Sequence, residues 1–445
     1  MARDHLVDST DAIQTLYFDG RKDKTIKLEK KGSRWYRNVV TEEHITILNE
    51  PGGKLITHLA PKSSSARDIA DCLYTYYDNN GHNITNILGI GCDGTATNTG
   101  PAGGIIRLLE IKLGRPLQWL PCLLHANELP LRHLIKHLDG KTTGPQEFSG
   151  PIGSALLNCE LQPVYNFIAI SSSIPDVSLS ELSTDQRYLH EMCLSVMTGC
   201  CSEELARRNP GKMAHSRWLT TANRILRLYI SQQNPTHSLQ MLATYIMQVY
   251  APVWFAIKSK PSCVDGTKHI WLTVHLSRSL PTEVKNIIDP VIQRNAYFAH
   301  PENLLIAMVT DDRDHIKQLG LRRILKARQE QKTGIRKFCI PRLNFDSTNY
   351  VDLINWQEAE ETAPPLLANI PMSEITSRIH GQNNIMLPII QVTCHTQAVE
   401  RHVKLVTEAS QSVCGERARN GFIKNRILSR QQMTAFNQKT DYLFD

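Results

Sequence analysis

Residues Ile84 to Cys92 form a near-continuous apolar run, Ile-Thr-Asn-Ile-Leu-Gly-Ile-Gly-Cys, of the kind found in a strand buried on both faces. The signals around it define a mixed order. Gln14 to Asp19 reads as a strand, Lys24 to Lys30 as a second, and Thr46 to Leu48 with Leu55 to Leu59 as more. Gly32-Ser33 and Pro51-Gly52-Gly53 mark the turns. Residues 63 to 78 carry Ile69, Leu73, Tyr76 and Tyr77 at helical spacing, and Asn79-Asn80-Gly81 ends that helix. After the apolar run come a glycine-rich loop, a helix from about Gly103 to Leu113, a strand at Leu117 to Leu120, and a helix over Leu123 to Leu138. Three strands, helix, strand, helix, strand is an α/β order.

Beyond residue 140 the pattern changes. Loops rich in Gly, Pro, Ser and Thr lead into mostly helical periodicity up to about residue 330, with Arg224 to Ile230 on an amphipathic helix and Leu239 to Ile257 on a buried one. Lys317 to Arg342 is basic, residues 357 to 372 read as an exposed linker, and Thr396 to Ser410 as a last helix before a polar, basic tail. The expected division is 1–140, 141–370 and 371–445.

With 445 residues, 41% of them hydrophobic and 21% charged, the chain has the composition of a globular protein. A net charge of +7 suits a polyanionic partner without demanding one. The eleven cysteines include no Cys-x-x-Cys pair and read as reduced thiols. The start of the chain lacks the apolar core of a signal peptide, and Met241 to Ile257 is short and contains Gln248 and Pro252. The expectation is a nuclear or cytoplasmic protein with no membrane partner.

Three acidic residues stand in distinct contexts. Asp19 ends Leu16-Tyr17-Phe18, Asp93 follows the buried run, and Glu400 lies on the last helix. Brought together, they would suit two-metal phosphodiester chemistry. The bland alternatives are an Asp93 that turns a strand end and a Glu400 that pairs with Lys404 one turn on. Gly89-Ile90-Gly91-Cys92-Asp93-Gly94 matches the G-x-G-x-x-G pattern by chance: Thr95 to Pro101 delays the helix, and Asp93 would put a negative charge in a phosphate loop. Cys122 and His125 are half of a zinc-site spacing with no second half nearby, which argues against zinc.

In order, Phe18-Asp19-Gly20, Cys92-Asp93-Gly94-Thr95-Ala96-Thr97-Asn98, Cys122-x-x-His125, Arg217-Trp218-Leu219-Thr220 and Thr396-x-x-x-Glu400-Arg401 resemble motifs of hAT-type transposases. The resemblance implies an RNase H-like mixed sheet interrupted by a large all-α insertion domain. It also implies DNA strand cleavage and transfer by Asp19, Asp93 and Glu400 with Mg²⁺ or Mn²⁺, and Cys122, His125 and Asn98 beside that centre. Arg217 and Trp218 would contact DNA, Trp218 by stacking on a base turned out of the duplex. Arg322, Arg323, Lys326 and Arg328 would neutralise phosphates. Trp218 as a core anchor and the basic run as a wetted helix face are the competing readings.

The sequence departs from the family pattern at Arg21, where the family often has Trp, and at His402-Val403-Lys404-Leu405, which replaces an aromatic-Ser ending. Asp19 lies too near Met1 for the family's zinc finger, as expected of a domesticated or truncated transposase. DNA is the expected partner, with a homo-oligomer left open. The other function class is a non-catalytic nucleic-acid-binding or protein-interaction module.

Overall fold

The structure is a computed structural model. It describes residues 13–79, 84–144, 147–213, 218–330, 334–381 and 387–408, together with 421, 424 and 425. The basic tail and Arg217 lie outside the described residues.

Five strands form one mixed sheet: β1 (Thr15–Lys31), β2 (Arg34–Asn49), β3 (Lys54–Leu59), β4 (Gly89–Cys92) and β5 (Gln118–Pro121). The order across the sheet is β3-β2-β1-β4-β5. The first three strands run antiparallel, and β4 and β5 run parallel to β1. Strand alternation divides the apolar residues between two cores. Leu16, Phe18, Ile45 and Ile47 face α1 (Ala66–Asn79) and α2 (Ile105–Leu113), whose Ile69, Leu73, Ile106 and Leu109 complete that core. Tyr17, Leu48, Leu55 and Leu120 face the other way, onto α3 (Leu123–Leu138) and the helical body beyond it.

The two strands expected at 14–19 and 24–30 are one continuous strand. Gly20 keeps extended pairing with Ile45, whose side chain lies over the glycine where a Cβ would otherwise stand. The apolar run is a strand only over Gly89–Cys92, because Ile84–Asn86 forms a 3₁₀ turn before it. The helix expected at 123–138 forms over those residues.

The helical body packs directly on the sheet. Residues 237–259 run as one buried helix with a π turn at Ile246–Tyr250. Among the described residues, no helix is long and apolar enough to cross a membrane. Helix α4 (Trp218–Tyr229) is buried all round, not on one face. Its Arg224 donates to the Leu156 and Leu157 carbonyls and pairs with Glu160 at 3.0 Å, and Arg227 donates to the Ala206 and Gln162 carbonyls. Carbonyl cages make those buried cations tolerable.

Helices α5 (Pro301–Val309) and α6 (Asp314–Gln329) lead to a second correction. The supposed exposed linker turns into the core at Pro364 to Leu367 and again at Ile370. Arg328 on α6 donates to the Leu367 and Ile370 carbonyls. Arg323 pairs with Glu361 and lies over the Trp356 ring at 4.3 Å. Those two arginines are structural ties of this segment.

The sheet and helical body are joined by a buried ionic node. Glu110 on α2 and Glu302 on α5, both 0% exposed at the side chain, share Arg336. Arg336 donates to Glu302 at 2.7 and 2.8 Å and to the Leu117 carbonyl at 2.9 Å. Glu110 also accepts the Leu117 amide and the Trp119 indole N–H, each at 3.0 Å. Phe338, two residues on, stacks between Trp119 at 4.2 Å and His300 at 4.0 Å. Removing Arg336 strands Glu302 in a dry site, whereas Glu110 keeps Arg107 at 3.3 Å. Arg336→Met is therefore expected to lower unfolding free energy in urea by about 3–5 kcal/mol, and the triple change with Glu110→Gln and Glu302→Gln to recover part of it. Equal stability of Arg336→Met and wild type would remove the node from any structural role.

Candidate active site

Asp19, expected at a strand end, lies within the continuous strand β1, and Asp93 follows the end of the neighbouring β4 at the same level. The parallel register pairs Thr15 with Gly89, Leu16 with Ile90 and Tyr17 with Gly91. Two residues further along each strand stand the two aspartates, where strand spacing is about 4.8 Å. Asp19 is on the same face of β1 as Tyr17, the face covered by α7 (Gln397–Glu408). That helix buries Val399 and Val403, one turn apart, and its Ala398 approaches Gly53 in the β2–β3 turn.

Long-range bonds fix the start of α7. The Tyr17 hydroxyl donates to the Thr393 carbonyl. The Cys394 amide donates to Pro261 O at 2.7 Å, and the Leu123 amide to Cys394 O at 2.9 Å. The Thr396 amide then donates to Cys122 Sγ at 3.4 Å, and the Thr396 hydroxyl to Glu400 Oε1 at 2.8 Å. Strand β1, the start of α3 and the loop before Cys263 thus hold the segment that carries Glu400.

Two thiols form the floor. The Cys122 amide donates to Cys92 O at 2.8 Å. Burial pushes the Cys92 thiol well above its ordinary range, and the charges of Asp93 and Asp19 add to the rise. Burial also pushes Cys122 up to about 12, with Glu400 adding to it and the Thr396 bond opposing it. All three carboxylates therefore act on this adjacent pair of neutral thiols. A protonated Cys122 that accepts a backbone amide is a support for α7, and a poor metal ligand or nucleophile.

Asp93 Oδ1 accepts the Thr95 amide at 3.0 Å and the Asn98 side-chain amide at 2.6 Å, so the strand-end turn is formed and Asn98 orients the carboxylate. Sequence reasoning missed Tyr297. It arrives from the helical body, bonds Thr99 at 2.8 Å, and flanks Gly94 opposite His125. Burial raises the Tyr297 hydroxyl's pKa, the Thr99 bond opposes this, and Cys92 and Asp93 add to the rise. No local pattern marks it, since a tyrosine in a short 3₁₀ turn gives no periodic signal.

Among the described residues, no group of three or more His, Cys, Asp and Glu side chains is arranged to hold one cation. The donor set is nonetheless of the right chemistry, hard carboxylate oxygens.

No protein-family model matches the sequence, and no curated protein matches it. Among solved structures, the Drosophila P element transposase strand transfer complex is similar at 13% identity and a TM-score of 0.29, over 97% of this chain and 81% of that one. A likeness of that size decides nothing about activity.

The residues expected to meet DNA fall apart into two kinds. Trp218 is 6% exposed with its ring perpendicular to that of Phe148, so in this structure it is a core anchor that offers no face to a base. Arg323 and Arg328 are the ties described above, whereas Arg322 and Lys326 are exposed on α6.

His395 sits beside the site, one residue before Thr396. Burial, then Lys258 and Arg401, push its pKa down to about 3. It is neutral in the fold and takes up a proton near 6.5 when unfolded. The stability from keeping it neutral is complete above about pH 6.5 and is lost as pH falls toward 3. The expected slope is up to about 1.4 kcal/mol per pH unit from this group. His395→Leu should flatten the acid limb of a pH series of denaturant midpoints; an unaltered slope would show that His395 is not the titrating group.

Proposed function

We propose that the chain is the core of a transposase-derived, RNase H-like polynucleotidyl transferase of hAT type, with the all-α body inserted between the strands and α7. The observation that carries this is the placement of Asp19 and Asp93 at one level on neighbouring parallel strands, with α7 packed on β1 and β2 and its start held through Tyr17, Cys122 and Thr396. An RNase H-like centre needs carboxylates at adjacent strand ends and one from a helix. The sheet order and the register both support the reading.

Asp19, Asp93 and Glu400 would hold Mg²⁺ or Mn²⁺, which would activate a water or 3′-hydroxyl and neutralise the leaving oxygen in an in-line displacement. The chain's own contribution is orientation. Asn98 and the Thr95 amide aim Asp93, and Thr396 holds Glu400 along its helix. The buried thiols remain neutral and leave the negative field of the carboxylates undiminished. DNA is the polyanion such a centre acts on.

A second reading is a non-catalytic nucleic-acid-binding module that retains the scaffold. The absence of a closed cation cluster among the described residues favours it. Nicking of supercoiled DNA in Mg²⁺ or Mn²⁺ separates the two. Asp93→Asn is expected to lose more than about 100-fold in rate, beyond the range typical of changes behind metal ligands. Equal nicking by wild type and Asp93→Asn would remove the enzymatic reading.

A further inference from the structure

We propose that residues 20–42, the outer part of the β1–β2 hairpin, form an arm that lies in the major groove of duplex DNA. DNA as the partner rests on the reading above; the location of the arm's binding surface comes from separate observations.

The hairpin outgrows its sheet. Strand β4 pairs with β1 only over Thr15 to Tyr17, and β3 pairs with β2 only over Ile45 to Asn49. Beyond those residues, among the described residues, the two strands pair with each other alone, in unbroken register from Gly20↔Ile45 to Lys31↔Arg34. The twelve residues from Gly20 to Lys31 extend roughly 40 Å at strand rise, about one turn of B-form DNA. A two-stranded ribbon fits the major groove of B-DNA, about 12 Å wide, and not the deep, narrow groove of duplex RNA.

The chemistry of the arm is one-sided. Residues 20–42 contain eight Lys and Arg against three Asp and Glu, which gives +5 of the chain's +7. At the tip Lys30, Lys31 and Arg34 are exposed, and Trp35 is 63% and Tyr36 47% exposed beside them. Lysines on a two-stranded ribbon also deter edge-to-edge pairing, a role that calls for charge but not for exposed Trp and Tyr beside it. The sign bias instead matches a polyanion. The root of the arm is Asp19 itself, so DNA lying along it passes the candidate active site.

The test is anisotropy of a labelled duplex of about 20 base pairs, titrated with full-length protein over a range of salt. Lys30→Gln/Lys31→Gln/Arg34→Gln is compared with Arg322→Gln/Lys326→Gln on α6. The arm variant should bind at least 10-fold more weakly near 0.1 M salt, with a salt slope lower by about 2–3, near 0.9 for each phosphate no longer neutralised. Its melting temperature should be unchanged, because the three residues are exposed. Single-stranded DNA and duplex RNA of the same sequence should compete poorly. Wild-type binding with an unaffected arm variant would overturn the arm and leave DNA as partner. Failure of wild type to bind duplex at low salt would overturn both. A change in sedimentation without a change in DNA affinity would identify the arm as an interface between copies of the chain and overturn the proposal.

Discussion

The Arg336 guanidinium between Glu110 and Glu302 is the interaction on which the rest of the architecture depends. Glu110 belongs to a helix of the sheet layer, Glu302 to the helical body, and Arg336 to the extended segment that leaves α6. Burial alone would raise the pKa of Glu302, and the arginine works against that rise. Such a node adds little net stability over an apolar contact, because desolvating three charges offsets most of the attraction. What it does add is register. The fork geometry of the guanidinium and the indole N–H of Trp119 are satisfied in one relative placement of sheet and helices.

That placement propagates to the candidate site. Tyr297 lies on the same stretch as His300, whose ring stacks on Phe338 in the node. Movement of the helical body would therefore carry Tyr297 away from Thr99 and Gly94. On the far side of the site, the start of α7 is clipped to Pro261, Leu123 and Cys122, two of which belong to the first turn of α3 or its edge. The site is thus held from both sides by the inserted helices.

Much of this was legible in the sequence. The run Leu16-Tyr17-Phe18 located the start of β1 but not its continuation past Asp19, the apolar run located β4, and α3 was read to its ends because its apolar spacing coincides with a real buried face. The failures have physical causes. Just beyond Gly20 the side chains of Arg21, Lys22 and Lys24 are exposed, so alternation could not tell a continued strand from a new one. Residues 357–372 looked exposed from their glutamates, but Leu366, Leu367 and Ile370 bury and arginines from a distant helix secure their carbonyls. Arg224 and Arg227 fitted an amphipathic helix because most of their partners are backbone carbonyls, which any sequence supplies, and the Glu160 carboxylate lies 64 residues from Arg224. The contexts of Asp19, Asp93 and Glu400 were visible locally. The bonds of Tyr17 with Thr393 and of Thr396 with Cys122 join positions far apart in the chain and leave no local trace.

The clip between Thr396 and Cys122 has a kinetic consequence. Strands β1 and β4 emerge early in synthesis, but the segment that carries Glu400 reaches Cys122 only after nearly the whole helical body has been made. Contacts of such sequence separation form late, since closure of the intervening chain must come first. The docking of α7 on the sheet is accordingly one of the last events of folding, and a nascent chain holds β1 and β4 without that helix until the helical body is in place.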